Sequence, residues 1–309
     1  MTAKIAVVGS LNMDLVTQAR KIPAPGETII GGDLQTIPGG KGANQAVAAA
    51  RAGAQVTMVG RVGDDVFAGR LRDNLLADGI DASYVQNTPD TASGVALIVV
   101  DENGQNSIVV APGANGRLTP ADVTLAKPAI QQADVLLLQL EVPLEAVLRA
   151  ARLAADAQVK VILNPAPARP LPPELLALVD ILIPNESETA ALTGWPTSTQ
   201  AELAAAATRL HEQGVATVIL TLGERGALLS QAGRELFHVP AFPVAQVIDT
   251  TAAGDAFVGG LATAVAEGQR LPEAMRFGAA AGALSVTRAG AQPSLPRRSE
   301  IEKLLEEAQ

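Results

Sequence analysis

Short apolar runs alternate with Ala- and Leu-rich stretches of helical length along most of this chain. Lys4-Ile-Ala-Val-Val8 is a β-branched run that ends in Gly9-Ser10, the pattern of a buried strand entering a loop. Comparable runs recur at 56–59, 134–139, 159–163, 181–183 and 217–221, and helical stretches at 43–52, 66–77, 144–157 and 200–213 separate most of them. The rhythm predicts an α/β fold, a mostly parallel sheet between two helical layers.

Two stretches break the rhythm. Residues 14–38 are rich in Pro, Gly and Thr, and residues 94–110 read as two strands around Asp101-Glu-Asn-Gly104, where Asn-Gly suits a tight hairpin. Together they predict a small β appendage, placed as a lid, on a single domain spanning 1–309. After Gly226 the pattern turns to short strands, including one at 235–239, then to helices from Gly254, with an amphipathic capping helix at 297–309.

Composition narrows the function. Apolar residues make up 48% of the chain, enough for a sizeable core without staples. There is no cysteine, which excludes disulfides, thiolate metal sites and cysteine nucleophiles and fits a cytoplasmic protein. A net charge of −9 with one Trp and one Tyr argues against a nucleic-acid partner. No apolar run approaches membrane-spanning length and no signal-like segment opens the chain, so neither a membrane nor export is expected.

The strongest chemical candidate is Asp249-Thr-Thr-Ala-Ala-Gly-Asp255, whose small residues open a helix. Amides at such an end, reached past side chains no larger than Ala, suit a transferring phosphate, and Asp255 at its mouth can take the proton of an attacking hydroxyl. An Asp favoured by the helix dipole reads the same way locally. Gly39-Gly-Lys-Gly-Ala-Asn44 is a second glycine-rich loop, and it is not a Walker A loop because Gly42 follows Lys41. Asn44 reads there either as a plain N-cap or, with Lys41, as a partner for the hydroxyls of a polyol.

Asn12, Asp14 and Glu141 follow predicted strands, where ligands of α/β sheets collect, although turn chemistry accounts for them equally. Asn185 and Glu188 read as a helix cap or as a water-mediated Mg2+ site. Thr221-Leu-Gly-Glu-Arg-Gly226 reads as a tight turn or as room for a nucleotide. His211 and His238 lack metal-ligand spacing and read as structural.

These motifs, in this order over essentially the whole chain, resemble the phosphofructokinase-B-type carbohydrate kinase family and its ribokinase branch, to which the run Arg288-Ala-Gly-Ala-Gln-Pro-Ser294 also points. The resemblance implies a ribokinase-like three-layer α/β/α fold with a small β lid. It also implies ATP-dependent phosphorylation of ribose at O5, with Mg2+ and an activating K+. Asp255 is then the base, and the Ala252, Ala253 and Gly254 amides form an anion hole. Asn12, Asp14, Gly40, Lys41, Asn44 and Glu141 match sugar positions. Asn185, Glu188, Thr221, Gly223, Gly226 and Gly254 match the nucleotide and Mg2+ side, while Asp249, Thr251, Ser285, Arg288, Gly290 and Ser294 match the loops around the monovalent ion. Ala279 stands near the adenine, where the branch often carries a larger polar residue such as His. The resemblance further implies a homodimer joined through the lid. A kinase for deoxyribose, another pentose, a hexose or a nucleoside is the alternative within the class. A non-catalytic sugar-binding regulator is the alternative outside it, and a dinucleotide-dependent dehydrogenase lacks its fingerprint.

Overall fold

The computed structural model describes residues 2–308. Its main sheet has nine strands, in the order Phe237–Val239, Ala227–Gln231, Thr217–Thr221, Ile181–Leu182, Lys160–Leu163, Val135–Leu138, Lys4–Val8, Gln55–Val62 and Asp81–Asn87. All neighbours from Thr217–Thr221 to Asp81–Asn87 pair in parallel. Ala227–Gln231 and Phe237–Val239 add an antiparallel edge. The apolar runs therefore become strands of one mostly parallel sheet, as their alternation with helical stretches predicts.

Those runs are continuous because both faces of the sheet are covered. In the first strand Ile5 and Val7 point into a core shared with Ala46, Val47, Phe257 and Leu261. Ala6 and Val8 point the other way, to Ile130, Val147, Ala150 and Leu203. One strand thus contributes to two cores, and the result is a three-layer α/β/α body.

A second, four-stranded sheet has the order Gln35–Gly39, Asn12–Gln18, Gly94–Val100, Asn106–Ala111. Its two inner strands are parallel and its two outer pairings antiparallel. The 101–105 connection is wider than the tight Asn-Gly hairpin expected. Asp101 Oδ1 accepts from the amides of Asn103 and Gln105, each at 2.9 Å, and Gly104 takes a positive φ of 77°. The Asp side chain organises the turn and leaves only Gly in the left-handed position. Asn106–Ala111 is exposed along its length, including Ile108, Val109 and Val110.

Helix Lys41–Arg51 and helix Ala253–Ala266 cross at Gly259. A Cβ on Gly259 would lie 2.5 Å from the Ala48 Cβ and 2.8 Å from the Gln45 carbonyl oxygen. Only glycine lets these backbones come so near. Thr263 Oγ1 adds a hydrogen bond to the Ala49 carbonyl at 3.3 Å. The far end of the first helix is held by Arg51, which donates to both Asp78 oxygens at 2.9 Å and to the Gln292 and Leu295 carbonyls at 2.7 and 2.9 Å. No helix among the described residues is long and apolar enough to cross a membrane.

Candidate active site

Beyond the carboxyl ends of the central strands, where the N-termini of helices Lys41–Arg51, Glu186–Thr193 and Ala253–Ala266 converge, lies a cavity of about 210 Å3. Lys41, Asn164, Asn185, Glu188, Thr221 and Asp255 line it, together with Ala252 and Gly254. Lysine is the one cationic side chain among these, so the wall offers a single positive charge beside helix-end amides.

Asp255 sits in the first turn of its helix and is 6% exposed. Asn44 Nδ2 donates to its Oδ2 and Gln45 Nε2 to its Oδ1, each at 2.9 Å. The reading of Asn44 as an N-cap is corrected here: the helix begins at Lys41 with Gly40 as its cap residue. Gly40 has a φ of 90°, and a Cβ there would fall 2.7 Å from the Asn12 amide nitrogen. The loop needs glycine at this place on both counts. Asn44 is therefore one turn inside the helix. Its Oδ1, like Gln139 Oε1, is buried without a hydrogen-bond partner among the described residues.

Glu141 works as a hub. Its Oε2 accepts from Ser10 Oγ at 2.6 Å, from the Lys41 amide at 3.1 Å and from Asn12 Nδ2 at 3.5 Å. Asn115 fixes Asn12 from the other side, donating to its Oδ1 at 2.7 Å while pairing with the Leu11 backbone. Asp14 is 7% exposed and lies against Gly39, where a Cβ would stand 2.3 Å from its Oδ2. Burial, then the charges of Glu141 and Asp255, raise the Asp14 carboxyl to about 7. Burial pulls the Lys41 ammonium down, but the carboxylates of Asp255, Glu141 and Glu188 outweigh it and hold it above its ordinary range. The site thus gathers several carboxylates around one lysine.

At the opening of helix Ala253–Ala266, Ala252 takes the left-handed conformation, with φ 60° and ψ 10°. Of the three amides expected in the anion hole, that of Ala253 turns to the Thr250 carbonyl at 3.2 Å. Ala252 and Gly254 line the cavity, and a Cβ on Gly254 would meet nothing within 4 Å beyond its own turn of helix. Asn185 and Glu188 form a full capping box, Asn185 Oδ1 accepting from the Glu188 amide at 2.8 Å and Glu188 Oε2 from the Asn185 amide at 2.9 Å. They also line the cavity, so the capping and ligand-facing readings are compatible. Burial pushes the Glu188 carboxyl above its usual range against the pull of Asn185 and Lys41. Thr221 reaches the cavity. Gly223, with φ 57°, and Gly226, with φ 87°, are not among its lining, and a Cβ on Gly226 would sit 2.1 Å from the Val239 carbonyl oxygen. Gly226 therefore serves the packing of the sheet edge.

Asp249 ties two loops, accepting from the Thr251 amide and from the Gly290 amide at 2.8 Å each. Burial raises its carboxyl, yet these bonds outweigh it and hold it below the usual range. Ser285 and Ser294 are fully buried and donate to the Gly282 and Ala291 carbonyls at 2.8 and 2.7 Å. The Arg288 side chain leaves this region to pair with Glu300, so only its carbonyl can face an ion there. The donors are all oxygens. No group of three His, Cys, Asp or Glu residues able to hold a metal exists among the described residues. That set suits a weakly hydrated monovalent cation better than a tightly held divalent one.

Ala279 is buried within the core and is not part of the cavity lining. His211 bridges the Val215 carbonyl and Ser230, and His238 meets the Arg225 carbonyl, in keeping with structural roles. Sequence reasoning missed Gln45, Gln139, Asn164, Asn115 and Ser10. Gln139 and Asn164 carried the same signal as Glu141, a polar residue at the carboxyl end of a buried strand.

Residues 2–298 match the pfkB family carbohydrate kinase. A ribokinase of Haemophilus influenzae is 44% identical over 308 residues, covering 100% of both chains. A deoxyribokinase of Salmonella typhi is 41% identical, over 97% of this chain and 98% of that one. Among solved structures, the Arabidopsis thaliana ribokinase complexed with ribose and ATP superimposes with a TM-score of 0.90 at 37% identity, covering 99% of each chain. With matches of this length and identity, the chain belongs to the pfkB family of carbohydrate kinases.

Proposed function

We propose that this chain transfers the terminal phosphoryl group of ATP to O5 of ribose, giving ribose 5-phosphate and ADP. The observation that carries the reading is the Asp255 carboxylate, held at both oxygens in the mouth of a helix N-terminus beside an unfilled Asn44 acceptor. The relatives named ribokinase and the solved complex with ribose and ATP supply the substrate class. The deoxyribokinase relative makes deoxyribose the second reading.

In this reading Asn12, Asp14, Asn44 and Glu141 receive the sugar's hydroxyls. Asp255 takes the proton of the primary hydroxyl as it attacks. Phosphoryl transfer is loose and largely electrostatic, so the rest of the task is positioning and charge. The Ala252 and Gly254 amides and Lys41 face the transferring group. Thr221 and Asn185 border the nucleotide's phosphates.

Two ions fit the residues present. Glu188 Oε1 stays outside the capping box and can orient Mg2+ through water, the ion that offsets phosphate charge. The carbonyls and hydroxyls around Asp249, Thr251, Ser285, Arg288, Gly290 and Ser294 suit K+, whose charge would strengthen the neighbouring anion site. The small sheet acts as the lid over the sugar, and its face with Leu97 and Val109, paired across neighbouring strands and both exposed, is the contact of a homodimer.

Four measurements test these assignments. With Mg2+ and K+ present, ADP release across a sugar panel should be fastest with ribose, and Asp255→Asn should lose roughly 10²–10⁴ in kcat, the scale of a positioned base. Preference for a hexose or nucleoside, or an unimpaired Asp255→Asn, would overturn the assignment concerned. Because the raised Asp14 carboxyl ionises near 7 and hydroxyls donate best to its anion, ribose affinity measured without nucleotide should rise from pH 6 to pH 8. Asp14→Asn should abolish that trend, and a trend that survives it removes Asp14 from the sugar site. Replacing K+ by a large organic cation at constant ionic strength should lower kcat, and an unchanged rate counts against the ion site. Sedimentation should show a dimer that Val109→Lys converts to monomer; a monomeric parent chain refutes the lid contact.

A further inference from the structure

Gln45 is fully buried, and every polar atom of its amide is committed. Its Nε2 donates to Asp255 Oδ1 at 2.9 Å and to Asn164 Oδ1 at 3.1 Å. Its Oε1 accepts from Gln139 Nε2 at 2.6 Å. Asn164 in turn donates through Nδ2 to the Ile183 carbonyl at 2.9 Å. The direction of each amide is set by its neighbours. Gln45 must turn its NH2 toward two acceptors, so its oxygen meets the NH2 of Gln139, which is likewise fully buried.

A wholly buried amide is costly unless paired, and an apolar residue would pack here at less expense if packing were the only requirement. The ionised member of the network is Asp255, and hydrogen bonds to a charged acceptor are the strong ones. The far ends of the chain of amides are equally telling. Gln139, Asn164 and Ile183 each follow a strand, Val135–Leu138, Lys160–Leu163 and Ile181–Leu182, and these three are adjacent in the sheet. The carboxylate is therefore keyed to the centre of the main sheet and not only to the turn that bears it. With Asn44 on one oxygen and Gln45 on the other, its plane cannot swing.

We infer that Gln45, anchored by Gln139 and Asn164, is a positioning residue that sets the orientation of the Asp255 carboxylate for proton abstraction. The inference rests on Asp255 being the base. Gln45 touches neither sugar nor nucleotide in this role and acts through the carboxylate alone.

The test uses the full chain with ribose, ATP, Mg2+ and K+. Gln45→Met should lower kcat by about 10–100-fold, the usual scale for a supporting hydrogen bond, with the ribose KM nearly unchanged. Because the anion loses a donor, the acid limb of the kcat profile should move to higher pH. In an Asp255→Asn background the same change should cost little more, since the two residues act as a unit. An unmoved acid limb, or an equal loss in both backgrounds, would overturn the inference while leaving Asp255 as the base. Full activity of Asp255→Asn alone would remove the base itself and the inference with it. If Gln45→Met does not fold, Gln139→Met provides the reading: a smaller fall in kcat with the same shift of the acid limb supports the role, and an unshifted limb refutes it.

Discussion

The near contact of two helix backbones at Gly259 is the constraint on which the site depends. Helices Lys41–Arg51 and Ala253–Ala266 belong to opposite ends of the chain; the first supplies Lys41, Asn44 and Gln45, the second Asp255. A side chain at Gly259 would push the helices apart and draw the amides of Asn44 and Gln45 away from Asp255. Glycine and alanine at the crossing avoid this, so two 2.9 Å hydrogen bonds span the gap. The small residues where these helices cross let the two halves of that hydrogen-bonded group meet.

That closeness has an electrostatic cost. Asp14, Glu141, Glu188 and Asp255 are brought together with Lys41 as the cation among them. A folded chain tolerates such a cluster where the surrounding structure determines it, and sites of function are where this occurs. Much of the charge is already absorbed by fixed donors: Glu141 by Ser10 and two amide groups, Asp249 by two backbone amides, Asp255 by two side-chain amides. Asp14 is the exception, since no hydrogen bond from the described residues reaches its carboxylate. Nothing there offsets its burial and the charges of Glu141 and Asp255, which raise its proton affinity.

The sheet and its helices were legible because buried parallel strands leave uninterrupted apolar runs and crossover helices leave helical spacing. The site was legible at its glycine-rich loops and at Asp255, whose neighbours in sequence are also its neighbours in space. Gln45, Gln139 and Asn164 were not, because their meaning arises only when three adjacent strand ends are lined up beside one helix, an arrangement no local window contains. The choice between the two readings of Asn44 was hidden for a related reason: the cap position is set by the conformation of Gly40, and a positive φ leaves little trace in the letters around it. At Gly226 a packing demand was equally hidden, since the need to make room for the Val239 carbonyl shows only in the fold.

The small sheet grows from the place proposed above to meet the sugar. Asn12 begins one of its inner strands and pairs with Gly39 and Gly94 on the strands beside it, while Asn115, just past the last strand, grips Asn12 from behind. All four strands are therefore rooted within a residue or a few of one asparagine. In mechanical terms the sheet is a cantilever, its fixed end at Asn12 and its free end at the 101–105 turn, so a substitution that displaces Asn12 disturbs the root of every strand in it.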